Sequence, residues 1–286
     1  MSLKNLSNIV IIGRGKVGQS LTQLFSSLDY RVDNIGRSKS KQTAAVANAD
    51  ITLICVNDGA IQTVCQALAK SFKTGSVVAH CSGALDSSIL SSAQQQGCAV
   101  ASCHPLNTFP NITLSLQRFA TTKHGSYLYA EGDQAALSTL MPLFEHAGFI
   151  NTQIDRQSKP LYHAACVFAC NYLSSLMDMS LETAAKAGLE KEPFWLSLQP
   201  LIQSTLENIS AHGTAGALSG PISRGDNETV ESHMRALAEH SDSLQISYAD
   251  LGLRALKIAI ENGELSDDDV DRLRAVLNIR DAEWCM

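Results

Sequence analysis

The run Asn8 to Ile12 is almost wholly apolar, and it breaks into Gly13-Arg14-Gly15-Lys16-Val17-Gly18 before Val17, Leu21 and Leu24 recur at helical spacing. A strand, a G-x-G-x-x-G turn and a helix, in that order, constrain the fold more than any other feature of the chain. In such a turn Gly13 permits the tight bend, Gly15 lets backbone approach a pyrophosphate, and Gly18 lets the helix pack closely on the strand. The unpaired N–H groups of the first helical turn then face the phosphates. The motif therefore predicts a dinucleotide site formed by Gly13, Arg14, Gly15, Lys16, Val17 and Gly18; the alternative is a glycine-rich βα turn with no ligand.

Up to about residue 155, short β-type runs alternate with helical stretches, the pattern of a doubly wound parallel α/β sheet. Strands are expected at 9–12, 31–35, 51–56, 76–80, 99–103 and 126–129, with 150–154 as an edge strand, and helices at 16–27, 60–70, 87–96 and 134–147. From Lys159 onward the apolar residues recur at helical spacing, and a first helix should run from Pro160 to about Lys186, about 40 Å at 1.5 Å per residue. Further helices are expected over 194–211, 228–240 and 242–262, and Ser266 followed by Asp267, Asp268 and Asp269 is a helix start. The reading is thus a Rossmann-type domain over 1–155 and an all-α domain over 156–286 that carries substrate and dimer contacts.

The chain has 286 residues, 45% of them hydrophobic and 17% charged, enough for a sizeable core, and its net charge of −6 with no basic stripe excludes a nucleic-acid footprint. No unbroken apolar run is long enough to span a bilayer, and Met1 to Ser7 does not read as a secretory signal, so no membrane partner and a cytoplasmic location are expected. Cys55, Cys81, Cys98 and Cys103, four of the eight cysteines, fall in apolar strand-like runs, where reduced cysteine acts as a small hydrophobe. Cys166 and Cys170 stand four apart, but nothing completes a tetrahedral ligand set, so no metal is expected.

The tip of the second strand selects the cofactor. Asp33 fits the usual count for an acid that holds a ribose, yet it sits within the strand, whereas the tip reads Gly36-Arg37-Ser38-Lys39 with Lys41 beyond. Arg37 can make paired charge-assisted hydrogen bonds to a phosphate and Ser38 adds a neutral donor. That favours NADP over NAD. Three later strand ends present Val56-Asn57-Asp58, His80-Cys81-Ser82-Gly83 and Cys103-His104-Pro105. Ligands of open α/β sheets bind beyond the carboxyl ends of strands. Val56 and Asn57 are accordingly cofactor candidates and Ser82, Gly83 and His104 substrate candidates, although turn chemistry alone accounts for Ser82-Gly83 and Asp58 can simply cap a helix. Lys159 and His163 are four apart and Asn171 lies eight further on, on one helix face, so Lys159 and His163 are the candidate proton-handling pair and Asn171 a secondary contact. Gly220-Pro221-Ile222-Ser223-Arg224-Gly225-Asp226 interrupts the helices; Arg224 and Asp226 either pair to brace a corner or reach a ligand.

Together with His104-Pro105-Leu106-Asn107-Thr108-Phe109 and Tyr162-His163, these segments resemble the uncharacterised Rossmann-like NADP oxidoreductase family whose C-terminal domain is akin to that of 6-phosphogluconate dehydrogenase. They are more distantly similar to pyrroline-5-carboxylate reductase, β-hydroxyacid dehydrogenases and coenzyme-F420-dependent NADP reductase. The segment Gly220 to Asp226 is the most family-specific. In β-hydroxyacid dehydrogenases a lysine followed four residues later by asparagine serves catalysis; Lys159 matches the lysine and His163 stands where they have asparagine. Asn57 stands where the family more often has proline. The resemblance implies a homodimer built through the helical domains, with NADP over the sheet and a small-molecule substrate in the cleft. The expected activity is hydride transfer between NADP(H) and a small carbonyl, imine or hydroxy compound. The alternatives are a non-catalytic NADP-binding sensor or assembly protein and, from the His104-Pro105 turn, a prephenate-dehydrogenase-like oxidation.

Overall fold

A computed structural model describes residues 8–107, 126–263 and 265–278. They form two compact units that divide between Phe168 and Ala169.

The first unit is built on seven strands: β1 (Ile9–Ile12), β2 (Val32–Ile35), β3 (Ile51–Ile54), β4 (Val77–His80), β5 (Ala99–Leu106), β6 (Ser126–Gly132) and β7 (Phe149–Gln153). They lie in the order β2-β1-β3-β4-β5-β6-β7. The first five pair in parallel, β6 runs antiparallel to β5, and β7 closes the sheet parallel to β6. Successive side chains of a strand point to opposite faces, so β1 supplies both cores. Ile9 and Ile11 pack with Leu21 and Phe25 of α1 (Lys16–Ser26) and with Leu137, Leu140 and Phe144 of α5 (Gln134–His146). Val10 and Ile12 pack with Val46 of α2 (Lys39–Val46), Ile61, Cys65 and Leu68 of α3 (Asp58–Leu68) and Ala93 of α4 (Ser91–Gln94). Helices therefore cover both faces, the doubly wound arrangement that the alternation of elements implied. Each large aliphatic or aromatic side chain so buried contributes about 1.5–3 kcal/mol.

Two differences from the sequence reading bear on the site. The fifth strand does not end at Cys103 but runs to Leu106, because β6 pairs with it through His104 and Pro105. The residues after Arg37 form a helix, α2, which was not expected because it buries only Val46 and shows scarcely any apolar face. Thr108 and Phe109, which carry part of the family resemblance, lie outside the described residues.

The chain enters the second unit through α6 (Lys159–Cys166), a π-helical turn at Val167–Asn171 and α7 (Tyr172–Lys186), so the unit division falls inside that turn rather than at residue 155. The tie is local: the first two turns of α6 are bound to the sheet by Lys159 and Tyr162, as described below. Next come α8 (Lys191–Ala217), bent where Gly213 adopts φ 71°, then α9 (Asn227–Ala238), α10 (Asp242–Asn262) and α11 (Asp267–Leu277), the last capped by Ser266 as expected. Their core is small, built on Ile222, Val230, Met234, Ala249, Leu256, Leu273 and Leu277. Within the helical stretch Arg156–Lys186 an 18-residue window reaches a mean hydropathy of 1.2, so this helix is long and apolar enough to cross a membrane by length and composition alone.

Candidate active site

The glycine turn has the geometry its spacing implies. Gly13 has φ +121°, and a Cβ there would run into the carbonyl oxygen of Cys55; one on Gly18 would run into that of Gly13. Gly15 has open space around the same position, with no atom within 4 Å. Two glycines are thus needed for packing and the middle one leaves room for a ligand. Gly15 is the N-cap of α1 and no side chain caps it, so the first amides of the helix are left for an anion. Arg14 and Lys16 are exposed, while Val17 packs against the core. Val56 lies beside Gly13 and Asn57 is the exposed N-cap residue of α3.

At the tip of β2, Arg37 and Ser38 are exposed, and Ser38 is the N-cap residue of α2. Arg14 lies across Gly36 and donates to the Asn34 carbonyl (3.3 Å), which brings it to the same tip. Asn34 in turn ties β2 to α1 by donating to the Gly18 carbonyl (3.2 Å) and Thr22 Oγ1 (2.8 Å). Arg14, Arg37, Lys39 and Lys41 leave this end basic, and Asp33 points to solvent from within the strand.

Beyond β4 and β5 lies a second group of polar side chains. His80 accepts from the Ser82 amide (3.1 Å) at Nδ1 and donates from Nε2 to the Asp86 carbonyl (3.1 Å). Burial pulls its pKa down to about 4, so it is neutral and shapes the loop. The Ser82 hydroxyl donates to Asp58 (2.8 Å) and accepts from the amides of Ala84 and Leu85 (3.2 and 3.0 Å). Both partners of this pair therefore hold the loop together.

Lys159 is 0% exposed. Its ammonium donates to the Ser82 carbonyl (2.8 Å) and to Ser102 Oγ. Burial lowers its pKa, and Glu131 chiefly opposes the shift. Glu131 is itself buried, accepting from the amide and hydroxyl of Ser87 (2.7 and 2.8 Å). Lys159 is therefore no exposed lysine at a helix start, and its ammonium has no direct reach to open space.

The open groups are imidazoles. The register places His104 of β5 opposite Tyr129 of β6. Tyr162, one turn along α6 from Lys159, stacks on Tyr129 with ring centres 4.6 Å apart and bonds through its hydroxyl to His104 Nδ1 (2.7 Å). Burial, then the charges of Lys159 and His163, bring the His104 pKa down to about 4, and burial pushes the Tyr162 phenol well up. His163 faces His104 edge-on with ring centres 6.2 Å apart, and its Nδ1 is buried without a hydrogen-bond partner. Gly83 makes this possible: a Cβ there would stand 2.6 Å from His163 Nδ1 and 3.0 Å from His104 Nε2. The first unit thus brings together Ser82, Gly83, His104, Lys159 and His163. Tyr162 is the member that sequence reasoning did not single out as a site residue, though its place one turn from Lys159 was the available signal.

Asn171, Arg224 and Asp226 belong to the second unit. Asn171 is exposed, and the π turn that it ends breaks the regular spacing from His163. Arg224 is exposed. Asp226 forms no ion pair with it: the carboxylate caps α9, accepting from the Thr229 amide (3.1 Å) and hydroxyl (2.8 Å), which hold its pKa down. That unit also contains a cavity of about 520 Å³ between α7, α9 and α10, lined by Leu176, Met179, Leu237, Leu244, Leu251 and the hydrogen-bonded pair His233–Tyr248 (2.9 Å). Among the described residues no three His, Cys, Asp or Glu side chains gather as metal ligands.

Residues 29–105 match the Rossmann-like domain, and residues 126–255 match a domain of unknown function, DUF2520. No curated protein matches the chain. Among solved structures it is similar to protein TM1727 from Thermotoga maritima, at 23% identity and TM-score 0.68 over 88% of this chain and 98% of that one. It is also similar to a Bacteroides fragilis protein named "putative NADP oxidoreductase BF3122", at 19% identity and TM-score 0.69 over 90% and 100%. A reductive aminase from Aspergillus terreus, solved with NADPH and ethyl-5-oxohexanoate, matches at 13% identity and TM-score 0.64 over 93% and 98%. At these identities the likeness is one of fold. The chain thus carries a match to a Rossmann-like domain followed by a match to a DUF2520 domain.

Proposed function

We propose that the protein is an NADP-dependent oxidoreductase that moves a hydride between NADP(H) and a small carbonyl, imine or hydroxy compound. The observation that carries this reading is the open space over Gly15 between two glycines packed against carbonyl oxygens, with Arg14, Arg37 and Ser38 at the neighbouring strand tip. Those residues fit a phosphorylated dinucleotide: the α1 amides would take the pyrophosphate and the arginines the additional phosphate. When bound, the nicotinamide supplies or accepts the hydride. The chain's own part is then positioning and proton transfer. His104, with Nδ1 bonded to Tyr162 and a pKa near 4, is neutral near pH 7 and orients a substrate oxygen or nitrogen through Nε2. His163 is assigned the proton-transfer role on position alone, its Nδ1 lying beside Gly83 and next to the His104 ring. Lys159 is a positioning residue that fixes the Ser82–Gly83 backbone through the Ser82 carbonyl.

Thermal-shift titrations with NADPH and NADH, joined to a turnover screen over 2-oxo acids, cyclic imines and aldehydes, test the reading. NADPH at a hundred times its dissociation constant should stabilise the protein by about 2.7 kcal/mol, and NADH at the same concentration should stabilise it less. Arg37→Ala should remove about ten- to a hundredfold of that preference. Equal response to both cofactors overturns the NADP assignment; NADPH binding with no turnover anywhere in the panel would favour the sensor reading.

The homodimer is proposed on the helical unit by itself. None of the 27 residues of α8 is buried, Leu196 and Leu201 are 61% and 64% exposed, and Leu251 is 47% exposed beside the apolar cavity. A second copy of this unit, apolar on the same face, is the proposed cover.

A further inference from the structure

Cys55 and Cys81 are the first residues past two neighbouring parallel strands, where Ile54 of β3 pairs with His80 of β4. Their sulfurs lie 3.6 Å apart, the Cys55 thiol donating to the Cys81 sulfur. Strands about 4.8 Å apart fall within the Cα separations of about 4.4–6.8 Å that a disulfide spans. Bond formation therefore asks mainly that the two sulfurs close to about 2.05 Å. Neither thiol has a part in the proton handling described above. Cys55 is buried, and its bond to Cys81 together with burial holds its thiol in the protonated form; Cys81 is half-buried and is the sulfur an oxidant reaches first.

We propose that Cys55 and Cys81 are a redox modification site, forming a reversible disulfide with a hydroperoxide as oxidant and weakening the dinucleotide turn when they do. The Cys81 sulfur attacks the peroxide O–O bond and becomes a sulfenic acid, releasing water or an alcohol. The Cys55 sulfur then displaces the hydroxyl, which leaves as water with the Cys55 proton, and the S–S bond forms. Two thiols lose two electrons and the peroxide gains them. A dithiol reductant reverses the change by exchange.

The link to the turn is steric. The carbonyl oxygen of Cys55 stands where a side chain on Gly13 would stand, and its Cβ is 3.3 Å from where a Cβ on Gly18 would be. Cys55 is therefore the floor of the glycine turn, and drawing it toward β4 moves that floor. On the other side Cys81 precedes Ser82, whose carbonyl holds Lys159. The effect on cofactor binding rests on the NADP reading above; disulfide formation does not.

The full chain, reduced and then exposed to hydrogen peroxide, is alkylated with iodoacetamide and mapped by peptide mass. A Cys55–Cys81 peptide is expected, absent in Cys81→Ser and retained in Cys103→Ser. A Cys81–Cys103 link, or oxidation without any Cys55–Cys81 link, overturns the site. In parallel, NADPH titrations followed by nucleotide fluorescence should show affinity reduced by about tenfold or more on oxidation, restored by dithiothreitol and unchanged by peroxide in Cys81→Ser. A link that leaves affinity unaltered overturns the coupling. If the reduced protein fails to bind NADPH, the cofactor reading falls, and the peptide map alone decides the modification site.

Discussion

The two units differ in how far each is finished as a folded object. In the first, every strand of the parallel part faces helices on both sides, and Phe25, Phe144, Ile11 and Leu53 are shut away completely. In the second, the longest helix, α8, buries nothing, and large apolar side chains stand in the open along it. A chain that can build the first core has no general shortage of apolar packing. In the proposed dimer the exposed leucines of α8 are the surface that a second copy covers, whereas the polar groups proposed for chemistry are gathered in the first unit, whose most exposed large apolar side chains, Leu161 and Phe168, lie at its end in and just after α6.

The strongest way to break this contrast is to charge the open face. Leu196→Glu with Leu201→Glu should convert a micromolar dimer into a monomer in sedimentation, since each leucine covered contributes about 1.5–3 kcal/mol. A wild-type monomer at that concentration would show that the face needs no second copy.

The next test sharpens the division of labour within the first unit. Once a substrate is found, His163→Ala should lower turnover by roughly a hundred- to ten-thousandfold with NADPH affinity unchanged. Lys159→Met should act on folding instead, removing two hydrogen bonds to a charged group worth about 1.5–3 kcal/mol each. Full activity in His163→Ala would leave that face of α6 as packing alone.

The finished unit should also carry the acid sensitivity. His80 and His104 have folded pKa values near 4 against an ordinary 6.5, so the unfolded chain takes up their protons first. Their stabilisation is complete above about pH 6.5 and is lost as the pH falls toward 4, by up to about 3 kcal/mol apiece. Urea midpoints measured from pH 7 to pH 4 should fall, and fall less in His104→Asn; a wild-type profile flat over that window would contradict the buried, neutral imidazoles.

The smallest effect belongs to the helical unit. Asp226→Ala should lower the thermal and urea midpoints slightly through loss of the α9 cap, with no change in any activity found. A change in substrate affinity without that loss would return Asp226 to a ligand-binding role.

What was legible in the sequence was what local pattern controls. The strand, glycine turn and helix at Ile9 to Ser26 were visible because 2- and 3.6-residue periodicities meet at fixed glycine offsets. The bounds of α10 follow from its Ser241 and Gly263 caps in the same way. The extension of β5 to Leu106 was hidden, since it depends on pairing with β6 some twenty residues later. Pairing also decides the site: His104 meets Tyr162 only because Tyr129 lies opposite it in the sheet. The spacing of Lys159 and His163 put both on one face of a helix but could not tell which would be sealed in. Burial follows from Ser82 and Ser102, brought by two other strand ends.

Gly83 has a consequence for comparing related chains. Any side chain at that position would meet both His104 and His163, so the three residues form a unit of inheritance: a relative that keeps both imidazoles in these places must keep glycine between them. Conversely, a relative with alanine or serine there must have moved or lost one of the rings. A single letter in an otherwise divergent sequence thus separates chains able to retain this arrangement from chains that have only the fold in common with it.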